Sequence, residues 1–88
     1  MDISESRKKI DEIDAEMSEL FIKRMKLSAE IAEYKKENNL PIFNAEREQE
    51  IIEKVCAVST EDTEKYMRGF FEKIFELSRS YQKELTEK

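Results

Sequence analysis

The sequence has few of the residues that interrupt helices and few of those that carry most enzyme chemistry. Its 88 residues include one glycine, one proline and one cysteine, and no histidine. Without histidine, the chain lacks the usual base of a nucleophilic triad and the usual nitrogen ligand of zinc. One glycine is too few for a phosphate-binding glycine loop. If the protein is an enzyme, we expect a reaction driven by positioning and electrostatics, without a nucleophile, metal or nucleotide.

The residues that are present favour helices in one small domain. Charged residues make up 42% of the chain and apolar residues 39%, which, with so few helix breakers, is typical of an all-α protein. We expect a single domain over residues 1–88, a size at which the core is thin and oligomerisation is common. The net charge of −5 argues against a nucleic-acid or anionic-membrane surface.

The N-terminal residues and the lone cysteine predict a cytoplasmic protein. The opening stretch MDISESRKKIDEID has no apolar segment long enough for a signal peptide, and no later segment is apolar enough to span a bilayer. Cys56 has no second cysteine with which to pair, which fits a reducing compartment. We expect its side chain to be a small buried hydrophobe.

A long first helix is predicted from about Ser4 to Asn38, where Asn38, Asn39 and Pro41 end it. A helix of this length spans about 50 Å, whereas a compact globule of this chain length is about 30 Å across. The helix therefore overhangs its own domain, and covering its apolar seam needs a second chain, most simply in a homodimer that pairs the long helices. The residues of this apolar seam are Ile3, Ile10, Ile13, Met17, Leu20, Leu27, Ile31 and Tyr34.

A second helix is expected after the connector LPIF, with Asn44 as its N-cap and its end near Val58. It opens with Arg47 and Glu48, for which a local salt bridge and a binding role are equally good explanations. The side chains that this helix is expected to bury are Ile51, Ile52 and Val55.

A third helix is expected to be capped by Ser59 or Thr60, with Glu61 and Asp62 in its first turn. Its broad apolar face comprises Met67, Phe70, Phe71, Ile74, Phe75, Tyr81 and Leu85.

Polar residues interrupt the apolar faces of the first and third helices. Arg24 and Lys35 lie on one stripe of the first helix, and Ser78 and Gln82 continue a stripe of phenylalanines on the third. An unpaired buried charge is costly, so Arg24 either pairs with a glutamate, extends to the edge or binds a ligand. Ser78 and Gln82 either face water near a frayed end or supply hydrogen bonds inside a dry pocket.

Three cations therefore break the apolar faces: Arg24, Lys35 and Arg47. A set of buried cations suggests a small anion as the missing partner, and arginine suits bidentate binding of a carboxylate. From the residues alone, the expected ligand is a compact dicarboxylate.

In these residues the chain resembles the AroQ-class, all-α chorismate mutases over nearly its full length. The family pattern has arginines early and midway in the long helix and a lysine near its end, a charged run after the connector, and two polar positions on the last helix. The matching residues are Arg7, Arg24, Lys35, Glu46, Arg47, Glu48, Ser78 and Gln82, within the stretches SRKKIDEIDAEMSELFIKRMKLSAEIAEYK, PIFNAEREQEII and IFELSRSYQ.

The resemblance implies a cofactor-free pericyclic rearrangement of chorismate to prephenate in phenylalanine and tyrosine biosynthesis. It also implies that Arg7 and Arg24 clamp the substrate carboxylates, while Lys35 and Gln82 donate to the ether oxygen of the breaking bond. Glu48 is then expected to accept from the ring hydroxyl. Arg47 and Ser78 complete the polar wall.

The spacing of the two clamping arginines bears on assembly. Arg7 and Arg24 are 17 residues apart on one helix, or about 25 Å along its axis, so one small substrate cannot touch both. If Arg7 binds substrate, it comes from the partner chain of an antiparallel pair. The family has such a domain-exchanged, intertwined homodimer.

One residue departs from the family pattern, and two other functions stay open. Asn44 stands where the family often has aspartate near the substrate hydroxyl, and we expect weaker substrate binding at most. An isochorismate-pyruvate lyase shares the fold and much of the cationic pocket, and a non-catalytic helical dimerisation module would also explain the long seam. The resemblance also allows docking onto another shikimate-pathway enzyme, as some free-standing domains of the family do.

Overall fold

The computed structural model describes residues 2–87, which form three α-helices and no strand. These are α1 (Ile3–Glu37), α2 (Ala45–Ala57) and α3 (Glu64–Thr86). The predicted all-α class and the three helices are confirmed. Within residues 2–87, none of the helices is both long and apolar enough to cross a membrane.

The chain is elongated, because α1 extends beyond the other two helices. The molecule measures 55 × 26 × 14 Å and its radius of gyration is 16.1 Å, against about 12 Å for a compact chain of this length. Helix α3 packs against both α1 and α2. The predicted overhang of the long helix is therefore present.

The core is thin, and it does not use the predicted seam of α1. Its buried apolar side chains are Ala32, Ile52, Ile74 and Phe75. The buried residues of α1 are the small Ser28 and Ala32, and the Ser28 carbonyl accepts from the side chain of Gln82 on α3 at 2.9 Å. All eight residues of the apolar seam are exposed in the single chain, and the second chain expected to cover them stays a prediction.

The start of α3 differs from the sequence-based expectation. Neither Ser59 nor Thr60 is its N-cap, because α3 begins at Glu64 with Thr63 in the capping position. The Thr60 carbonyl accepts from the Thr63 and Glu64 amides at 3.1 and 2.9 Å, and the Thr60 amide donates to the Thr63 hydroxyl at 3.1 Å. Residues 61–63 therefore form a turn ahead of the helix, so Glu61 and Asp62 precede its first turn.

Helix α1 ends in a hydrogen-bonded cap that orients the connector. Asn39 has a φ of 55°, the left-handed conformation. The Leu40 amide donates to the Lys35 carbonyl at 2.8 Å and the Asn39 amide to the Lys36 carbonyl at 3.3 Å. This pair of bonds is a Schellman motif, for which asparagine is the commonest residue after glycine.

We expect Asn39→Ala to lower the free energy of unfolding by about 1 kcal/mol, because a Cβ without a compensating polar group is disfavoured in this conformation. Asn39→Gly should stay within about 0.5 kcal/mol of the parent, since glycine adopts this conformation readily but also gains entropy in the unfolded chain. Urea unfolding of the three proteins measures both changes. An alanine variant as stable as the parent would contradict this account of the cap.

Candidate functional site

A cavity of about 280 Å³ lies where the three helices and the connector meet. Seven of the eight residues predicted to bind substrate line it: Arg24, Lys35, Asn44, Arg47, Glu48, Ser78 and Gln82. Arg79, Ser28 and five apolar side chains complete its wall, the apolar ones being Leu27, Ile31, Ile42, Ile51 and Phe75. Residues distant in sequence are thus brought to one place, with polar groups set against apolar walls.

Arg24 is a half-buried cation. Its Nη1 donates to the Ser78 hydroxyl at 3.1 Å, and its guanidinium carbon lies 5.9 Å from the centroid of the Phe75 ring. Burial, and secondarily the charge of Arg47, lower the pKa of Arg24 from its usual value. Within residues 2–87 no glutamate forms an ion pair with it. The guanidinium therefore has hydrogen-bonding capacity and charge left for an anion.

Lys35 reaches across the end of α1 to the connector. Its Nζ donates to the Ile42 carbonyl at 2.7 Å. The Schellman motif fixes the path of the connector and so places that carbonyl. A lysine ammonium has three donors, so two remain for a ligand in the cavity.

Ser78 and Gln82 are buried, so the alternative that they face water near a frayed end is wrong. The Gln82 Nε2 donates to the Ser28 carbonyl on α1 at 2.9 Å. This bond orients the amide and leaves its second N–H for another acceptor. The Ser78 hydroxyl accepts from Arg24 and lies 3.9 Å from the Met25 sulfur.

The first turn of α2 supplies three more residues of the wall. Asn44 is the N-cap, as predicted, and its Oδ1 accepts from the Arg47 amide at 3.0 Å. The exposed Arg47 side chain pairs along the helix with Glu50 at 3.3 Å. Glu48 instead pairs with Arg79 of α3. The salt-bridge interpretation therefore holds for Glu48, which also lines the cavity.

Arg79 lines the cavity but was not among the residues predicted from the sequence. It is half-buried, pairs with Glu48, and its guanidinium carbon lies 5.1 Å from the Phe43 ring centroid. The only sequence signal was its position next to Ser78, one step from the predicted polar stripe. Its partners belong to α2 and the connector, and helical periodicity does not predict a contact between elements.

Arg7 is the predicted residue that the chain does not bring to the cavity. It lies exposed near the start of α1, about 25 Å along the helix axis from Arg24.

Cys56 is half-buried on α2, less buried than expected.

A larger cavity, of about 660 Å³, lies along α1 and α3 and is mostly apolar. It offers few hydrogen-bonding groups for orienting a polar ligand, so we regard the smaller cavity as the site. The lining of the larger cavity continues the exposed apolar surface of the long helix. It includes Met17, Leu20, Phe21, Phe70, Phe71 and Leu77.

The charge of the smaller cavity is opposite to that of the whole chain. Four cations (Arg24, Lys35, Arg47, Arg79) and one carboxylate (Glu48) line it, giving a formal charge of +3 in a chain of charge −5. Such a wall attracts a small anion with more than one carboxylate. Ser78 and Gln82 add neutral hydrogen-bonding groups at its buried end.

Asn44→Asp should preserve the cap, because aspartate and asparagine are about equally good in this position. We expect the catalytic efficiency to stay within about threefold of the parent, since the backbone that places residue 44 is unchanged. Steady-state kinetics and a thermal unfolding curve of the variant measure both. A clear loss of activity in this variant would show that the carboxylate is harmful here and that our interpretation of this departure is wrong.

Comparison with known proteins gives consistent family matches. Residues 6–83 match the family chorismate mutase type II. A chorismate mutase from Methanocaldococcus jannaschii is 35% identical over 97% of this chain and 88% of its own length. Bifunctional chorismate mutase/prephenate dehydratases from Aquifex aeolicus and Buchnera aphidicola are 45% identical over 68% and 36% identical over 99% of this chain.

The alignments cover different shares of the relatives. The chain corresponds to 17% and 23% of the length of the two bifunctional proteins, about a fifth. No solved structure gives a significant match. The family match nevertheless covers all of α2, nearly all of α1 and α3, and the residues that line the smaller cavity. The chain therefore belongs to the chorismate mutase type II family.

Proposed function

We propose that this domain rearranges chorismate to prephenate without a cofactor. The observation that carries the proposal is the cationic cavity, in which buried neutral donors and unpaired cations lie opposite apolar walls. Chorismate is a compact dicarboxylate with one ring hydroxyl, and its rearrangement is unimolecular. Catalysis then consists of holding the reactive conformer and stabilising the charge that grows on the ether oxygen.

Arg24, Lys35 and Gln82 are the proposed catalytic residues. Arg24 binds a substrate carboxylate with the donors that its bond to Ser78 leaves free. Lys35 and Gln82 are anchored to the Ile42 and Ser28 carbonyls, and each keeps at least one N–H for the ether oxygen. Because these donors are held before substrate binds, little reorganisation accompanies the transition state.

The remaining wall residues orient the substrate in this proposal. Glu48 accepts from the ring hydroxyl, while Arg47 and Ser78 complete the polar surround. Asn44 lies beside Glu48 at the start of α2 and acts chiefly through the backbone that it caps.

We further propose that the active form is an intertwined homodimer in which Arg7 of the partner completes each cavity. The exposed apolar seam and the larger apolar cavity provide the surface for a second copy, and an antiparallel pairing of the long helices brings Arg7 of one chain toward Arg24 of the other.

A cytoplasmic location and docking onto a separate enzyme also belong to the proposal. The bifunctional relatives favour an enzyme that consumes prephenate as the docking partner.

An ultraviolet assay with chorismate, followed by chromatography of the product, tests the function. We expect prephenate from the parent and almost none from Arg24→Ala or Lys35→Ala. Turnover of isochorismate with release of pyruvate, and not of chorismate, would identify the lyase instead. Failure of both, with no thermal stabilisation by a dicarboxylate mimic of the transition state, would leave the dimerisation module.

The neutral amide of Gln82 predicts a simple pH dependence. An amide does not titrate, so parent activity should be nearly constant through neutral pH. Gln82→Glu places a carboxyl group in this buried position, and only its protonated form can donate to the ether oxygen. Its activity should therefore rise as the pH falls through the pKa of the new carboxyl group, by about tenfold per pH unit above that pKa. A sharp acid optimum in the parent would contradict this role of Gln82.

A further inference from the structure

The ion pair between Arg79 and Glu48 is more enclosed than the other ion pairs of the described chain. The side chains of Arg79 and Glu48 are 35% and 24% exposed, whereas those of Arg68 and Glu64 are 47% and 51% exposed. Exposed pairs contribute little, because water and salt screen them. The Arg79 pair also lines the cavity, so its effect extends to whatever binds there.

Arg79 joins three separate parts of the cavity wall. It belongs to α3, its ion-pair partner Glu48 belongs to the first turn of α2, and its guanidinium carbon lies 5.1 Å from the ring centroid of Phe43 in the connector. A planar guanidinium can donate at its edge and stack with its face at the same time. Arg79 therefore fixes the direction of the Glu48 side chain.

Glu48 needs such a restraint because of what surrounds it. Among residues 2–87 it is the only acidic side chain that lines the cavity, together with Arg24, Arg47 and Lys35. If the Glu48 carboxylate turned toward one of these cations, it would pair with that cation. It would then compete with an anionic ligand for the same charge. Arg24 in particular has no ion-pair partner within the described residues.

We propose that Arg79 is a positioning residue that holds the Glu48 carboxylate away from the substrate-binding cations. This inference rests on the proposed function, since the competing anion is the dicarboxylate substrate. Arg79 keeps Glu48 available as an acceptor in the wall while Arg24 and Lys35, which have no ion-pair partner among the described residues, stay free for carboxylates. Arg79 itself does not touch the substrate.

The direct test is the KM for chorismate of Arg79→Gln. With its partner removed, Glu48 turns to the binding cations, and KM should rise about tenfold while kcat changes by less than about threefold. Arg68→Gln is the matched control, because it makes the same change in the exposed pair on the same helix. Its KM should equal that of the parent.

A double-variant cycle separates positioning from a merely structural role. If Arg79 acts by restraining the charge of Glu48, then Arg79→Gln should have almost no effect on KM in a Glu48→Gln background. An equal rise of KM in both backgrounds would overturn the proposal and would assign the effect to lost packing on Phe43. Should Arg79→Gln not fold, Arg79→Met is used in the same cycle, because methionine also removes the charge that holds Glu48 while keeping an apolar stem beside Phe43.

The outcomes distinguish this inference from the function on which it rests. A parent that does not turn over chorismate overturns the proposed function, and this inference with it. An active parent, with an Arg79→Gln variant whose KM matches that of Arg68→Gln, overturns the inference alone. Calorimetric titration with a dicarboxylate transition-state mimic gives a second readout, in which the affinity should fall about tenfold for Arg79→Gln only.

Discussion

Arg24→Met should lower kcat/KM for chorismate by about a thousandfold, or about 4 kcal/mol in transition-state stabilisation. The guanidinium is half-buried, donates to Ser78 at 3.1 Å and has lost part of its hydration. A charge-assisted bond to a carboxylate in such a place is much stronger than one in water. Methionine keeps the length and apolar stem of the side chain but can neither donate nor carry charge.

The same substitution should leave the fold intact or slightly more stable. Burial lowers the pKa of Arg24, which means that the folded protein disfavours its charged form. Replacing a poorly compensated cation with an apolar side chain removes that penalty. We expect the thermal midpoint to stay constant or to rise by a few degrees, where about 1 kcal/mol corresponds to 4–8 °C in a domain of this size.

The prediction is specific because the substitution should lower kcat/KM while it leaves the thermal midpoint unchanged or raises it. Lys26→Met is the matched control, since Lys26 is exposed on the same helix and lies about 200° around it from Arg24. Its kinetics should equal those of the parent. If Arg24→Met unfolds at a much lower temperature, Arg24 is a structural residue, and its loss of activity says nothing about substrate binding.

The secondary structure followed from local signals where those signals were strong. The absence of glycine and proline predicted α1, and Asn44 marked the start of α2. The predicted start of α3 was wrong because Thr60 forms a turn with Thr63 before the helix begins. Several residues there can cap a helix, and the sequence does not decide which one does so.

Which face of α1 packs on α3 could not be predicted from periodicity. The large apolar residues form the most regular seam, yet the residues of α1 that are buried are the small Ser28 and Ala32. Small residues allow close packing, and this depends on the opposing surface of α3. The same limit applies to Arg79, whose partners Glu48 and Phe43 belong to other elements.

The predicted polar set of the cavity depended on both spacing and family resemblance. Helical spacing placed Arg24 and Lys35 on one stripe of α1 and Ser78 and Gln82 on one stripe of α3, and the structure brings these two stripes together in one cavity. Spacing did not show that the stripes face each other; the resemblance supplied that expectation. Arg7 is the member that a single chain leaves outside, so its role depends on the proposed dimer.

Two inactive variants should restore activity when they share a dimer. Arg7→Met alone should lower kcat/KM by about a hundredfold or more, because the cavity then lacks one of its carboxylate-binding arginines. In a dimer of Arg7→Met with Arg24→Met, one cavity combines the intact Arg24 of the first chain with the intact Arg7 of the second. The other cavity carries both substitutions.

Random pairing of equal amounts of the two variants gives heterodimers as half of the dimers, each with one intact cavity. The mixture, unfolded and refolded together, should therefore recover about a quarter of the parent activity. Each of the two variants, refolded alone, should stay inactive. As a further control, a mixture of Lys8→Met with Arg24→Met should show only the activity of its Lys8→Met chains, because the Arg24→Met chains gain no activity from this partner. No gain in the Arg7→Met and Arg24→Met mixture, despite mixed dimers detected by mass spectrometry, would place both arginines in a cavity built by one chain or exclude Arg7 from the site. Since about 25 Å of rigid helix separates the two residues, recovery by mixing is the outcome that the geometry of α1 favours.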